Sequence, residues 1–155
     1  MSEVMGEVCA RMRTDLSCFH FLSDQDVGVL GPYFTCRQAQ ASEVLWREGD
    51  PSDDVAFIVS GQVVIKKETE FPGRHVIVGI YGPGTIAGEL CILTGRPRAV
   101  TAEAMTHCAL LMLTRERFDT LAADHPGLAL KLLKGMLFAV STRLSAAFER
   151  LATVF

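Results

Sequence analysis

The chain has 155 residues, a formal net charge of −3, 49% hydrophobic residues and 21% charged residues. These totals predict one globular domain with a sizeable core, and the acidic balance argues against a dedicated nucleic-acid-binding protein, which would carry a basic patch. The sequence has no apolar run near the roughly 18 residues that span a bilayer and no signal-peptide pattern at its start. We therefore expect a cytoplasmic chain with no membrane insertion and no direct contact with nucleic acid.

The cysteines and histidines do not have the spacing of a metal site. The chain contains Cys9, Cys18, Cys36, Cys91, Cys108, His20, His75, His107 and His125. The cysteines are odd in number and show no paired ligand spacing, so we expect free, largely buried thiols. The histidines are isolated from one another along the sequence, and no metal ligand is predicted among them.

Residues 1–32 are predicted to be helical. Apolar side chains near the start of this segment recur close to helical spacing. Ser23 is a good N-cap for a short helix that runs to Leu30, and Gly31-Pro32 ends it.

Residues 33–114 consist of short apolar runs separated by turn residues. The runs Val55–Val59 and Val63–Ile65 flank Ser60-Gly61, which predicts two strands around a tight turn. A Gly-Asp-Pro turn at residues 49–51 precedes them. About eight runs of this kind with regular turns predict a jelly-roll-like antiparallel β-roll.

A glycine-containing stretch at residues 84–101 is predicted to bind an anion. Gly84 and Gly88 permit backbone conformations closed to other residues and let a ligand approach the main chain. The segment Gly88–Leu93 is apolar enough for one or two helical turns. Such a helix would direct free N–H groups toward a phosphate.

Two charged residues in this stretch suggest what the anion belongs to. Arg98 follows Pro97, which stiffens the backbone, and a guanidinium matches a phosphate with paired hydrogen bonds. The carboxylate of Glu89 only accepts hydrogen bonds, so its expected target is a hydroxyl such as a ribose 2′-OH. Taken singly, either residue is commonplace, but together they describe a site for a nucleotide monophosphate.

Residues 115–155 are predicted to form two helices. Thr114 is the expected N-cap of the first helix, and Pro126 begins the second. Apolar residues of the second helix alternate by four and three positions, as in a heptad seam: Leu133, Leu137, Val140, Leu144, Ala147, Leu151 and Val154. Another stripe, Leu128, Leu132 and Met136, suits packing on the chain's own β-roll. We expect a symmetric dimer through the seam; the alternative is that both stripes pack within one domain.

The combination Gly88-Glu89-Leu90, an apolar pair, a short polar turn and Pro97-Arg98-Ala99 resembles the phosphate-binding cassette of cyclic nucleotide-binding domains. That family includes regulatory subunits of cyclic-AMP-dependent protein kinase, catabolite activator proteins and gated ion channels. The resemblance covers about residues 15–145. It implies an α+β fold in a single domain over 1–155, with N-terminal helices, a β-roll, a short phosphate-binding helix and a long C-terminal helix.

The resemblance also implies a ligand site. Backbone N–H groups near Gly88 and Ala99 would share the phosphate with Arg98, and Glu89 would hold the ribose. Many members that respond to cyclic GMP have Thr where this chain has Ala99, so cyclic AMP is expected before cyclic GMP. The candidate ligand-binding residues are Gly88, Glu89, Leu90, Cys91, Arg98, Ala99, Val100 and Arg143.

Base recognition is the part of the resemblance that departs from the family pattern. Catabolite activator proteins contact adenine with a Thr-Ser pair on the long helix, whereas an ungapped comparison places Arg143 and Leu144 there. Arg143 is either a base-contacting residue or an exposed helix arginine. Three strand valines are further candidates for contact with the base: Val64, Val76 and Val78.

The predicted function is a regulatory one. Ligand binding would shift the helices packed on the cassette and signal to an unknown effector protein, because no basic helix-turn-helix follows residue 155. The alternatives are a ligand-free dimerisation module of the same fold and a transcription regulator lacking its DNA-binding domain. We do not expect an enzyme: no nucleophile–base pair is evident, and the His-x-His metal set of cupin-type enzymes is missing. No cofactor beyond the nucleotide ligand is predicted.

Overall fold

The computed structural model describes residues 20–154. Its elements in chain order are α1 (Asp24–Leu30), the 3-10 turn η1 (Gly31–Tyr33), β1 (Thr35–Ala39), β2 (Val44–Trp46), β3 (Asp54–Ser60), β4 (Val63–Glu68), β5 (His75–Tyr81), β6 (Ile86–Ala87), the 3-10 turn η2 (Glu89–Ile92), β7 (Thr101–Ala104), β8 (Cys108–Thr114), α2 (Arg115–Asp124) and α3 (Pro126–Val154). The predicted α+β class is confirmed. The helical spacing at the start of the chain lies outside the described residues.

The strands form two antiparallel sheets of four strands each. Their orders are β1-β8-β3-β6 and β2-β7-β4-β5, so most neighbours in space are distant in sequence. In the first sheet Phe57 of β3 lies opposite Leu111 of β8, and in the second Ile65 of β4 lies opposite Ala102 of β7. This arrangement is the predicted β-roll, and it brings the turn after β2 close to the segment before β7.

The first sheet is covered on both faces, which explains its continuous apolar strands. Because side chains alternate across a strand, Phe57 of β3 belongs to the core shared with the helices, whereas Ala56 and Ile58 belong to the core between the sheets. Leu111 and Leu110 of β8 divide between the two cores in the same way.

The helix ends agree with the sequence prediction. Ser23 caps α1 by accepting a hydrogen bond from the amide of Asp26, and Thr114 caps α2 by accepting one from the amide of Arg117. These contacts satisfy N–H groups that have no partner within the first helical turn.

The long helix α3 presents one buried and one exposed apolar stripe. The buried stripe, Leu128, Leu132 and Met136, packs in the core beside the first sheet. Leu137 and Leu144 of the predicted seam are 66% and 53% exposed, whereas Leu133 and Val140 of the same seam are partly buried and pack against the chain's own core. None of the helices described here has both the length and the hydropathy needed to cross a membrane.

Gly61 in the turn between β3 and β4 offers a test of this packing. Its φ is +86°, and an added Cβ would lie 2.2 Å from the carbonyl oxygen of His107. Gly73 has φ +79° but nothing within 4 Å of that position. Backbone strain costs roughly 1–2 kcal/mol in both variants, and overpacking adds roughly 1–3 kcal/mol at Gly61 alone. In urea unfolding we expect Gly61→Ala to lose more stability than Gly73→Ala; equal losses would contradict the packing described.

Candidate functional site

A cavity of about 240 Å³ opens between the second sheet, η2 and α3. Seven of the eight predicted site residues line it: Gly88, Glu89, Leu90, Arg98, Ala99, Val100 and Arg143. Seven other residues share the lining: Trp46, Ser52, Ile65, Tyr81, Ala87, Arg96 and Pro97. The structure therefore brings the predicted cation and the predicted ribose acceptor to a single cavity.

Gly88 occupies a position at the cavity wall that a larger residue could not take. Its φ is +77°, and an added Cβ would lie 2.3 Å from Nη1 of Arg98 and 3.2 Å from the Trp46 ring. Glycine is favoured here both by the backbone conformation and by the close approach of the arginine. The turn η2 that follows is a four-residue 3-10 helix, which is slightly more than one turn and agrees with the one or two helical turns expected.

The guanidinium of Arg98 is buried and held on two sides. Its side chain is only 5% exposed, and Nη2 donates to Oδ1 of Asp54 over 2.6 Å. Its Cζ atom lies 3.9 Å from the centroid of the Trp46 ring, an attractive cation–π arrangement. Asp54 and Trp46 therefore fix where the positive charge stands.

Arg98 also keeps unused donors. Its Nε and Nη1 atoms are buried and have no hydrogen-bond partner among residues 20–154. Buried donors of a charged group are costly when left without a partner. The backbone of Arg98 is held in place, because its amide donates to the carbonyl of Asp50 and its carbonyl accepts from the amide of Gly49, both at 2.8 Å. This restricts movement of the two unpaired donors toward solvent.

Glu89 is paired with an arginine from the long helix. Arg143 donates from Nη2 to Oε1 of Glu89 at 2.8 Å and from Nη1 to the carbonyl of Ile86 at 2.7 Å. Its Cζ atom also lies 4.3 Å from the centroid of the Tyr81 ring. Arg143 is thus a partly buried residue that joins α3 to the cassette, and the interpretation as an exposed helix arginine is wrong.

Cys91 is the predicted site residue that does not reach the cavity. Its side chain is fully buried in the core beside the helices, and its amide donates to the carbonyl of Gly88 at 3.3 Å. Burial raises the pKa of the Cys91 thiol to about 11. A neutral thiol in the core is a packing group. The prediction that Cys91 is a ligand-binding residue is therefore wrong for its side chain.

The three valines proposed as base contacts do not line the cavity either. Val76 and Val78 are about half exposed, at 48% and 52%, and Val64 is buried at 7% exposure. Side-chain alternation along β4 instead turns Ile65 toward the core between the sheets. Ile65 of β4 and Tyr81 of β5 line the cavity in place of the valines.

Trp46 and Asp54 were the important omissions of the sequence analysis. Neither residue is singled out by the sequence, because the roles of both depend on strand pairing. The pairing of β2 with β7 and the position of β3 bring them to Arg98 from 52 and 44 positions earlier in the chain. A buried arginine does imply a carboxylate partner, but three aspartates near the turn, Asp50, Asp53 and Asp54, leave the choice open.

Comparison with known proteins identifies this architecture. The model of the family described as the cyclic nucleotide-binding domain matches residues 36–125. The chain belongs to the cyclic nucleotide-binding domain family. Domains of this family are typically regulatory rather than catalytic.

Two curated relatives show the range of proteins that contain this domain. The chain is 40% identical over 85 residues to the cAMP-dependent protein kinase regulatory subunit of Dictyostelium discoideum, covering 53% of this chain and 26% of that protein. It is 34% identical over 98 residues to lysophospholipase nte1 of Aspergillus fumigatus, covering 63% of this chain and 6% of that protein. The matched part is thus a small share of each relative, and the lipase similarity covers only the cyclic nucleotide-binding region.

Solved structures agree with the fold. A cyclic nucleotide-binding domain from Methylobacillus flagellatus KT is 25% identical, with a TM-score of 0.83 over 99% of this chain and 85% of that one. The catabolite activator protein of Thermus thermophilus is 27% identical, with a TM-score of 0.70 over 89% of this chain and 62% of that one.

The contact between Arg98 and Asp54 should stabilise the fold without any ligand. Replacing Asp54 by Ala leaves a buried guanidinium without its carboxylate, and we expect a loss of about 1–3 kcal/mol, moderated because Asp54 is 33% exposed. The surface pair Lys131–Asp26 is the control, since Lys131→Ala removes an exposed ion pair worth less than about 1 kcal/mol. Urea unfolding measures both variants, and equal losses would show that the Arg98 pair has no special weight.

Proposed function

We propose that the cavity binds a cyclic nucleotide, cyclic AMP before cyclic GMP, and that the chain is a regulatory module. The observation that carries this proposal is the buried guanidinium of Arg98, whose Nε and Nη1 atoms have no partner within the described part of the chain. A phosphate would satisfy both donors with charge-assisted hydrogen bonds. Membership of the family supports the assignment of that phosphate to a cyclic nucleotide.

The positions of the other lining residues are compatible with a nucleotide. Glu89 and Arg98 line the same cavity, so a single sugar-phosphate can offer a hydroxyl to the carboxylate and an oxyanion to the guanidinium. The amides of Glu89 and Leu90 lie at the start of η2, where a helix does not supply its own acceptors. Ala99, which is exposed at the cavity, leaves room for a phosphate.

Arg143 would link ligand binding to movement of α3. In the structure it donates to Glu89, which is also the proposed partner of the ribose hydroxyl. A ribose at Glu89 therefore changes the environment of a residue on α3, and a ligand shifts a conformational equilibrium when it binds the two arrangements unequally. An effector protein that contacts α3 would receive this change. The Tyr81 ring beneath Arg143 and the apolar side chain of Ile65 provide surfaces for the base.

The exposed seam of α3 favours a dimer as a second role. Leu137, Leu144 and Leu151 are 66%, 53% and 58% exposed, and they recur every seven residues at one position of the heptad repeat, which suits helix pairing. The buried stripe of the same helix is already occupied by the chain's own core. We propose that two copies associate through this seam, whether or not a nucleotide is bound.

Arg98→Ala tests the role of the guanidinium in binding. We expect it to weaken cyclic AMP binding by about 100- to 1,000-fold, or roughly 3–4 kcal/mol, because a desolvated phosphate loses its cation. Glu89→Gln should weaken binding less, since an amide oxygen still accepts from a hydroxyl. Isothermal titration of the wild-type protein with cyclic AMP, cyclic GMP and 5′-AMP gives the reference.

Arg74→Ala is the matched control for this titration, because it removes an exposed arginine at the hairpin between β4 and β5. Its affinity should equal that of the wild-type protein. If Arg98→Ala also leaves the affinity unchanged while the protein remains folded, the assigned role of Arg98 is rejected. If wild-type protein binds none of the three nucleotides, the proposed function is rejected.

Leu144→Glu tests the dimer. A carboxylate in the middle of an apolar seam must be desolvated or expelled, so we expect monomers in sedimentation equilibrium. Ala146→Glu is the control, since Ala146 is exposed on α3 but lies off the seam. A dimer that persists in Leu144→Glu, or one lost equally in both variants, would contradict association through this face.

A further inference from the structure

The charges already present at the cavity cancel in pairs. Arg98 is joined to Asp54 at 2.6 Å, and Arg143 is joined to Glu89 at 2.8 Å. Each pair has no net charge. A phosphate that approaches Arg98 therefore meets one cation whose field is already reduced by a carboxylate 2.6 Å away.

A third arginine lies in the cavity lining. Arg96 is two positions before Arg98, separated from it by Pro97, and all three residues face the cavity. Arg96 is exposed, and its guanidinium makes no ion pair within the described ranges, whose salt bridges involve other residues. It is the lining cation whose charge is not offset by a bound carboxylate.

We propose that Arg96 is a second phosphate-binding residue. Its positive charge compensates for that of Arg98, which the carboxylate of Asp54 offsets. The inference rests on the proposed function. It adds to the ligand site a residue, Arg96, that was not among the predicted ligand-binding residues. Arg98 orients the phosphate from the buried side, whereas Arg96 neutralises it from the solvent side. Pro97 limits the backbone freedom between them, so both guanidinium groups stay on one short, stiff segment.

The effects of Asp54 and Arg96 on phosphate binding are then energetically coupled, although the two side chains form no ion pair with each other in the described part of the chain. With the Asp54 carboxylate present, that carboxylate and the bound phosphate are two anionic groups around one buried cation, Arg98, and Arg96 supplies the second positive charge. With a neutral residue at position 54, the positive charge of Arg98 alone is enough to balance the charge of the bound phosphate. Arg96 should also affect the rate of association. An exposed cation at the rim of the cavity raises the rate of encounter with an anion, and salt screens this effect.

The experiment measures binding through Trp46, the single tryptophan of the chain, whose ring stacks on Arg98. Its fluorescence is titrated with cyclic AMP and, separately, with inorganic phosphate, at about 50 mM and about 300 mM KCl. The proteins are wild type, Arg96→Ala, Asp54→Asn, the double variant, and Arg74→Ala as the matched loss of an exposed arginine. Circular dichroism confirms that each is folded.

We expect Arg96→Ala to weaken cyclic AMP binding about fivefold to tenfold at the lower salt and less at the higher salt, as for a screened charge. Arg74→Ala should bind as the wild type does. In the Asp54→Asn background the loss caused by Arg96→Ala should shrink to about twofold or less, because the two positions are coupled. The association rate of Arg96→Ala should fall with the affinity.

The outcomes separate this inference from the proposed function. If wild type binds cyclic AMP and Arg96→Ala matches Arg74→Ala, or if the loss is the same in both backgrounds at position 54, the role of Arg96 is overturned while the function stands. If wild type binds phosphate in an Arg96-dependent way but no cyclic nucleotide, the function fails and the role of Arg96 stands. If wild type binds neither anion, both are overturned.

Discussion

The guanidinium of Arg98 is the charged group on which the arrangement of the site depends. Removing an arginine from water is costly unless its charge and its donors find partners. This chain meets part of that cost with the carboxylate of Asp54 and the ring of Trp46. Two nitrogen atoms remain without partners among the described residues. The same burial that makes them unfavourable in the free protein makes them strong donors to an anion.

Other features of the structure serve to keep that group in place. Gly88 is the residue that leaves space for Nη1 of Arg98 beside Trp46. The turn at residues 47–50 holds the backbone of Arg98 through paired amide–carbonyl hydrogen bonds. Behind it, the first sheet is buried on both faces and supports η2 through contacts in the core. Most of the cavity wall therefore belongs to the β-roll and η2, whereas the contact from Arg143 comes from a separate helix.

The sequence was sufficient to predict the elements whose causes are local. The caps at Ser23 and Thr114, the glycine turn after β3 and the two stripes of α3 follow from residue types at short spacing, and the structure has all of them. The cassette could be predicted because its glycines, carboxylate and guanidinium lie within 15 positions of one another.

What could not be predicted depends on contacts between distant strands. Sheet register and strand order make Asp54 the partner of Arg98 and place the Trp46 ring on it. They also place Ile65, and not Val64, at the cavity. The pairing of Arg143 with Glu89 spans 54 positions. A one-residue change of register reverses which side chains face inward, and a single sequence does not fix that register at this precision.

The reach of Arg143 back to Ile86 and Glu89 also has a consequence for how the protein is made. The ribosome delivers a chain from its N-terminus, so a nascent polypeptide can pair β3 with β8 and bury Arg98 before α3 has been completed. The wall of the cavity that Arg143 forms is added only when α3 docks. Until the ribosome has released α3, the nascent chain therefore has an incomplete cavity.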